Sequence, residues 1–393
     1  MSKVKGEGKG AGIGKRVGAG VGLLAGILAI GWSLLPRIAF SHGAVTTTVL
    51  FDREIVRILN NRCVACHMEG GLAFPLSTYE QTWLKGQSIR TAILRHQMPP
   101  WPAVSGYGEY VNDNALTLRE TQFLVSWVEG LGPRNAGTVF LNVNDSRAAP
   151  RQEVRAEAHV GHWQLGDPDL VRPLQRTTID RRRGDVVQRS VIDLGLTSER
   201  HLRALEYLPG DRRVVRGASF MVEQTGQWLG SWTPWYGFTK LPNGVASRLP
   251  AGARIVADVY YRSADDAVSD RGTLGLFFGE RSDARTSSDL VMQGTKDSSG
   301  TIRASTSIAS DTHVWAVKPD IDGAVSSLEV SARRPDGATD ILLYARDVPS
   351  EWPTPYIMKR PLVLRRGTQL SVVARMKDGA SIPRDVRVRI ARY

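Results

Sequence analysis

Residues 51–67, FDREIVRILNNRCVACH, run from a helical pattern directly into a cysteine–histidine motif. Apolar residues recur on one side of the predicted helix, at Ile55, Val56, Ile58 and Leu59. Two thiols separated by two residues, Cys63 and Cys66, are spaced to bond the two vinyl groups of a haem, and the adjacent imidazole of His67 then lies under the iron. The motif therefore predicts one covalently attached haem c, with His67 as the proximal iron ligand.

Two other kinds of site use the same residue types. A structural zinc ion needs four ligands, usually two Cys pairs or a Cys pair with a spaced His pair, and this chain has only 2 cysteines. A thioredoxin-like redox pair requires a surrounding βαβ pattern, which the flanking sequence does not show. Both interpretations are therefore disfavoured.

Met98 is predicted to be the second axial ligand of the iron. It follows a helical stretch, residues 77–96, and precedes Pro99 and Pro100, whose fixed φ angles stiffen the backbone. A thioether is the usual partner of His in electron-transfer haems, where it raises the reduction potential. His96 is the alternative sixth ligand and would give a bis-His haem of lower potential.

A last helix is predicted over residues 117–128. Thr117 and Glu120 form a capping box at its start, and its apolar face consists of Phe123, Leu124, Trp127 and Val128. Such a helix can pack across the first one and close over a haem. From Cys63 to Trp127 the chain resembles the cytochrome c-type domains of multidomain bacterial proteins, which implies an all-α domain over residues 46–134.

The N-terminal part predicts a membrane anchor. Residues 1–16 are rich in Lys and Gly and are expected to be disordered, and residues 17–36 form an apolar stretch without charges. At 1.5 Å per residue this stretch nearly matches the ~30 Å hydrocarbon core of a bilayer. Because the positive flank comes first, the rest of the chain is expected in the periplasm of a bacterial inner membrane, after a single pass. A cleaved signal peptide is the alternative, although no A-x-A site follows.

Composition excludes one broad class of function and suggests several domains. The 393 residues are too many for one typical domain. The formal net charge is +12, but it is spread through sequence of mixed sign. Nucleic-acid-binding proteins concentrate positive charge on one helix or face, so nucleic acid is not an expected partner.

Beyond a predicted linker at residues 135–158, the pattern changes to alternating and β-branched segments. Strands are expected at 186–196, 254–263, 273–278, 326–337, 339–346, 368–376 and 386–393. We interpret this part as an all-β pair of sandwiches in tandem, over residues 159–300 and 301–393.

The β part resembles the copper type II, ascorbate-dependent monooxygenases, the peptidylglycine monooxygenase-like family, in the bacterial form often fused to a haem domain. The matching strings lie in the family's order at 163–171, 207–210, 249–252, 334–337, 351–352 and 366–368. The resemblance implies two sandwiches that hold copper through imidazole and thioether ligands.

The departures from this family are at the copper ligands. Where the family has five histidines, this chain has Arg216, Gly217, Tyr260, Asp320 and Asp322. Met376 occurs where the family's thioether falls, but copper of this class needs imidazoles as well. Asp320 and Asp322 are hard ligands that suit Ca²⁺ in principle, yet without a loop signature they indicate a solvated turn. The histidines present, His159, His162, His201 and His313, are interpreted as structural.

The sequence therefore predicts a membrane-anchored, periplasmic c-type cytochrome that transfers electrons to or from redox partner proteins, as a subunit of a larger membrane complex. The β region is interpreted as a scaffold without catalysis, and the chain as an electron carrier rather than an enzyme. The alternative is a copper ascorbate-dependent monooxygenase coupled to its own haem. A haem sensor is disfavoured, because His/Met ligation leaves the iron no open position.

Overall fold

A short helical region is followed by a larger region of β-sheets. The computed structural model describes residues 47–135, 162–182, 184–279, 285–297, 300–321, 325–377 and 386–393. The predicted anchor at 17–36 and most of the predicted linker lie outside the described residues. Within these described ranges, none of the helices has the length and apolarity that a membrane crossing requires. The prediction of a helical part followed by an all-β part is confirmed at this level.

The helical region begins with one π-helical turn, Phe51–Ile55. Four helices follow: α1 Val56–Arg62, α2 Tyr79–Leu84, α3 Gly86–Leu94 and α4 Leu118–Glu129. The predicted single helix at 77–96 is thus two helices. The break occurs because the N–H of Lys85 bonds to the carbonyl of Thr82, three residues back, and Gly86 follows directly.

The predicted capping box at the start of α4 is confirmed. The hydroxyl of Thr117 accepts from the N–H of Glu120 at 3.1 Å, and the Glu120 carboxylate accepts from the N–H of Thr117 at 2.7 Å. The buried face of α4 packs on the first helical turns, around a core that includes Phe51, Ile55, Leu59, Leu124 and Trp127. This packing holds the chain segment between α1 and α4 in place.

Twelve strands occur among the described residues of the first β module. They are β1 Leu170–Pro173, β2 Thr177–Ile179, β3 Val186–Asp193, β4 Arg200–Leu208, β5 Val215–Val222, β6 Trp228–Trp232, β7 Phe238–Lys240, β8 Val245–Leu249, β9 Arg254–Tyr261, β10 Val268–Asp270, β11 Thr273–Gly279 and β12 Arg285–Thr286. One sheet has the order β1-β11-β4-β8-β12, with β7 also paired to β4, and another has the order β3-β9-β5-β6. Side chains of both sheets share one hydrophobic core, and β2 pairs with β10.

In the second β module, the part of the chain that the structure describes forms nine strands. They are β13 Ser288–Gln293, β14 Thr295–Lys296, β15 Ile302–Ser307, β16 Thr312–Ile321, β17 Val325–Arg333, β18 Thr339–Val348, β19 Tyr356–Leu364, β20 Gln369–Met376 and β21 Val386–Arg392. The sheets β13-β21-β16-β19 and β14-β15-β20-β17-β18 enclose a second hydrophobic core. All seven stretches expected to be strands therefore contain one.

The two β modules share a buried interface. The indoles of Trp228 and Trp315 stack there with ring centroids 5.5 Å apart. The Asp289 carboxylate accepts from the N–H of Trp228 at 2.6 Å, and Arg389 donates to the carbonyl of Gly226 at 2.7 Å. Helical region and β modules belong to one compact unit, residues 46–393.

Candidate functional site

The cysteine–histidine motif forms a tight turn at the end of α1. The N–H groups of Cys66 and His67 both donate to the carbonyl of Cys63, at 3.1 and 3.0 Å. This turn places all three side chains on one cavity of about 760 Å³. The two cysteines are not joined in a disulfide, and burial raises the pKa of each thiol to about 12.

His67 is held by a single backbone group. Its Nδ1 lies 2.8 Å from the carbonyl oxygen of Phe74, and the two rings meet edge to face at 4.8 Å. Because a carbonyl can only accept, Nδ1 must carry the proton and Nε2 the lone pair. Burial lowers the pKa of His67, with the Phe74 bond acting against it. The imidazole is therefore set up as a neutral ligand through Nε2.

The rest of the helical lining is mostly apolar. Leu72, Leu76, Ile89 and Ile93 are all buried and face the cavity. The volume lies within the range of about 300–1,000 Å³ that small-molecule and cofactor sites occupy. An apolar pocket with two thiols and one oriented imidazole fits a covalently bound haem.

Both residues considered for the second axial position lie on this cavity. Met98 and His96 each line it, so the structure brings them to the same site as His67. Met98 is 43% exposed, and His96 has φ +54° at the end of α3. The identity of the sixth ligand stays a prediction.

The β modules supply a wall of the cavity that sequence reasoning missed. Trp235 and Trp352 lie on it with ring centroids 5.4 Å apart, and Arg216 and Arg262 line it as well. Arg262 donates from Nη1 to the carbonyl of Leu72, across the boundary with the helical region. No local signal marks these residues, because they lie more than a hundred positions from the motif.

The segment after Met98 is anchored to the second β module. Trp101 lines the cavity, and its ring packs against Tyr110 and Tyr356 with centroids 5.9 and 5.2 Å away. Residue Ala103 forms a β-bridge with Ala345 of β18. The loop that carries Met98 is thus fixed by packing at its far end.

The positions that hold copper in the resembling family are engaged in other contacts. Arg216 pairs with Asp185 at 2.8 Å. A Cβ on Gly217 would lie 2.7 Å from the ring of Pro353, so no larger residue fits there without movement. Among the described residues, no three His, Cys, Asp or Glu side chains lie close enough to hold a metal ion.

The interpretation of Asp320 as part of a solvated turn is wrong. Asp320 lies in β16 and accepts from Nε of Arg389 at 2.6 Å, and it also pairs with the buried ammonium of Lys318. Burial acts to raise its pKa, but these two cations more than offset it, so the pKa lies below its usual range. Asp322 and His159 lie outside the described residues.

Comparisons with known proteins identify no family. No protein-family model and no curated protein matches the sequence. Among solved structures, the major capsid protein P2 from bacteriophage PM2 is similar at 8% identity over 56% of this chain and 97% of that chain, with a TM-score of 0.24. A vicilin from Solanum melongena is similar at 10% identity over 52% of this chain and 74% of that chain, with a TM-score of 0.11. Procruciferin, an 11S globulin from Brassica napus, is similar at 8% identity over 57% of this chain and 85% of that chain, with a TM-score of 0.12. At such scores these likenesses carry no argument.

Proposed function

We propose that this protein is a c-type cytochrome, anchored in a bacterial inner membrane through residues 17–36, that transfers electrons in the periplasm. The observation that carries the proposal is the pairing of His67 Nδ1 with the Phe74 carbonyl, beside two thiols outside any disulfide, on one apolar cavity. Met98 lines the same cavity and is the second ligand in this proposal. A bound haem supplies one-electron oxidation and reduction.

Each residue of the site has one role in this proposal. Cys63 and Cys66 form thioether bonds to the vinyl groups, which keeps the cofactor attached. His67 would hold the iron through Nε2 in a fixed ring orientation, and Met98 would be the second iron ligand. The apolar helical lining limits water near the iron, which favours the reduced state. With both axial positions filled, the residues favour electron transfer over gas sensing.

The β modules act in this proposal as a scaffold without catalytic copper, and redox partner proteins dock on the assembly within a larger membrane complex. Support comes from the residues at the positions that hold copper in the resembling family. Arg216 is paired with Asp185, and Asp320 is neutralised by Lys318 and Arg389. Side chains engaged in ion pairs are poor copper ligands, which opposes the alternative of a copper monooxygenase.

Covalent attachment is the direct test. We expect the purified full-length chain, produced with a c-type maturation system, to carry one haem that survives denaturation and stains on a gel. Cys66→Ser should lose stable attachment, because one thioether is removed. Ala65→Ser changes the same motif without removing a thiol, so it should stain like the wild type. Complete extraction of haem from the wild-type chain by acidified solvent would refute the proposal.

A further inference from the structure

Three large apolar side chains of the helical region are exposed on neighbouring elements. Trp83 and Leu84, at the end of α2, are 52% and 74% exposed, and Leu131, in the turn after α4, is 74% exposed. The Nε1 of Trp83 donates to the carbonyl of Leu131 at 3.2 Å, which places the end of α2 beside this turn. We call these three residues the apolar patch. Single exposed apolar residues are ordinary, but a group of them marks a site of contact with a partner or a membrane.

Leu131 has a backbone conformation that suits glycine. Helix α4 ends at Glu129 with Gly130 as its C-cap, and Leu131 follows with φ +65°. Glycine is the usual residue at this position of a helix end, because a Cβ is crowded there. A bulky residue at positive φ costs free energy, and an exposed side chain recovers none of it by burial. Since such outliers concentrate at functional sites, Leu131 indicates a contact outside the chain.

Hydrogen bonds fix the turn that carries Leu131. The Tyr79 hydroxyl donates to the carbonyl of Gly132 at 2.9 Å. The carbonyl of Pro133 accepts from Nε1 of the buried Trp127 and from the N–H of Phe51, both at 3.0 Å. The leucine of this turn therefore cannot fold inward without breaking these bonds, and the apolar patch is a fixed part of the surface.

The first described residue, Thr47, lies beside this patch. Its hydroxyl forms a hydrogen bond with the hydroxyl of Ser126 at 2.8 Å, and its methyl group fills the space that a Cβ on Gly130 would need. In the proposed function residues 17–36 cross the bilayer, so the ten residues 37–46 join the bilayer to Thr47. Ten residues span at most about 35 Å when fully extended. The apolar patch is therefore at the point of the helical region where the membrane anchor is attached.

The chemistry of the patch suits a lipid surface. Trp side chains are enriched at the level of the lipid headgroups, and exposed leucines can insert below that level. The carboxylates of the two helices that carry the patch do not oppose this contact. Glu80 of α2 lies 3.1 Å from Arg134, and Glu129 of α4 lies 2.7 Å from Arg90. Carboxylates paired with cations repel anionic headgroups less than unpaired ones do.

We propose that the apolar patch binds the surface of the bilayer, with Trp83 among the headgroups and Leu84 and Leu131 inserted beside it. This inference rests on the membrane anchor of the proposed function. An anchor alone leaves the helical region free to rotate above the membrane. Attachment at a second point restricts that rotation, so the patch sets the orientation in which the cavity of His67 meets redox partner proteins.

The test uses the full-length, haem-loaded chain in vesicles of phosphatidylethanolamine and phosphatidylglycerol. A nitroxide spin label is attached to Leu84→Cys or to Leu131→Cys, one site at a time. The haem consumes Cys63 and Cys66 in the proposed function, so the introduced thiol is the only free one. The matched control is Leu118→Cys, because Leu118 is 76% exposed at the other end of α4, about 18 Å along the helix axis.

The readout is the ratio of two collision rates of the label, with oxygen, which dissolves in lipid, and with a nickel chelate, which stays in water. We expect this ratio to be several-fold higher in Leu84→Cys and Leu131→Cys than in Leu118→Cys. Adding Leu131→Gly to labelled Leu84→Cys deletes a patch side chain and should lower the ratio. Because glycine accepts φ +65°, Leu131→Gly should unfold in urea with a free energy no lower than that of the wild type.

The outcomes separate the two proposals. Release of the wild-type chain from the vesicles by alkaline carbonate overturns the anchor in the proposed function and this inference with it. A retained chain with equal ratios at all three labelled positions overturns this inference alone. A label that neither oxygen nor the chelate reaches does the same, because a protein then covers the patch, a second copy if the labels couple magnetically. A loss of stability in Leu131→Gly with an unchanged ratio assigns Leu131 to the fold and also overturns the inference. If Leu131→Cys fails to fold, Leu84→Cys decides the question, because its side chain is exposed.

Discussion

The orientation of the His67 imidazole depends on the residues that follow it in the chain. The carbonyl of Phe74 points back to Nδ1, while the N–H of Leu76 donates to the carbonyl of His67 itself at 2.8 Å. The ammonium of Lys85 lies 5.1 Å from the centre of the Phe74 ring and covers it. Residues 67–76 therefore form a closed loop that orients the imidazole before any cofactor binds.

Met98 gives the first prediction. Met98→His should lower the midpoint potential, by a sizeable part of the ~0.8 V that axial ligands span, because imidazole stabilises ferric iron better than a thioether does. The near-infrared charge-transfer band of His/Met haem should disappear. Redox titration and absorption spectra of the oxidised protein measure both effects.

The control for this experiment is Met68→Leu. Met68 is next to His67, but its Sδ lies 3.7 Å from Nη1 of Arg212 and it does not line the cavity. Its spectrum and potential should equal those of the wild type. If Met98→His left the band in place, His96 would become the ligand to test, by His96→Asn.

At the scale of elements, the segment 102–112 joins both sheets of the second β module. Its first residues pair with β18, where the N–H of Val104 donates to Tyr344 at 2.8 Å. Its last residues pair with β19, where the N–H of Val111 donates to Ile357 at 2.8 Å. Because β18 and β19 are the outer strands of their sheets, the segment covers two exposed edges at once.

Asn112 carries the second prediction. This amide is 3% exposed; it donates to the carbonyl of Pro355 at 2.7 Å and accepts from the N–H of Ile357 at 3.1 Å. Asn112→Ala leaves both backbone groups buried without partners, at about 1–3 kcal/mol each. We expect urea unfolding to show a loss of about 2–4 kcal/mol, together with weaker Met98 ligation, since the loop loses its far anchor.

The matched control is Asn60→Ala, in an exposed position of α1. It removes the same amide from a helix surface, so stability should change by less than about 0.5 kcal/mol. A loss in Asn112→Ala no greater than in Asn60→Ala would contradict the anchoring role of the segment.

At the scale of the whole molecule, the interface between the β modules buries a carboxylate, and this burial reduces the free energy of unfolding at neutral pH. The side chain of Asp289 is 5% exposed, and burial raises its pKa to about 6, although the N–H of Trp228 and Arg389 act in the opposite direction. In the unfolded chain the carboxyl returns to its ordinary pKa of 3.8. Between these values the folded protein binds the proton and the unfolded chain does not, so stability falls as pH rises.

Asp289→Asn is therefore the third prediction. The amide oxygen can still accept from Trp228, and Arg389 keeps Asp320 and Gly226 as partners. The variant should lack the fall in stability between pH 4 and about 6, and it should be more stable than wild type at pH 7 by about 1–3 kcal/mol. Urea unfolding across this pH range measures the difference. The control Asp336→Asn, in an exposed turn, should keep the wild-type profile, and a wild-type profile in Asp289→Asn would refute the assignment.

The last prediction concerns copper in the β modules. Arg216 brings a cation where the resembling family has an imidazole, Gly217 brings no side chain, and Tyr260 offers a phenol in place of an imidazole. We expect elemental analysis of the purified chain to find substoichiometric copper, and assays to find no ascorbate-dependent hydroxylation. One or two coppers per chain, removable by a chelator and required for oxygen consumption, would restore the enzyme alternative.

Some features of this protein could be predicted from the sequence because they depend on local interactions. The capping box at Thr117 and Glu120 and the alternating strands such as β3 depend on residues a few positions apart. Strands β5 and β6 escaped detection because nearly all of their side chains are buried, so no alternation of polar and apolar residues marks them. The sequence of KPDID likewise suggested a turn, since the cation that neutralises Asp320 from β21 is 69 residues away.

The amino-acid sequence by itself determined the cysteine–histidine motif, the helical part and the change to β structure, because each follows from near neighbours in the chain. The tertiary structure alone decided what surrounds the motif. Sheet pairing brings Arg216, Trp235, Arg262 and Trp352 to the cavity of His67, and it places the segment after Met98 on two sheet edges. Contacts between residues a hundred or more positions apart leave no periodic trace in a sequence, so only the folded chain reveals them.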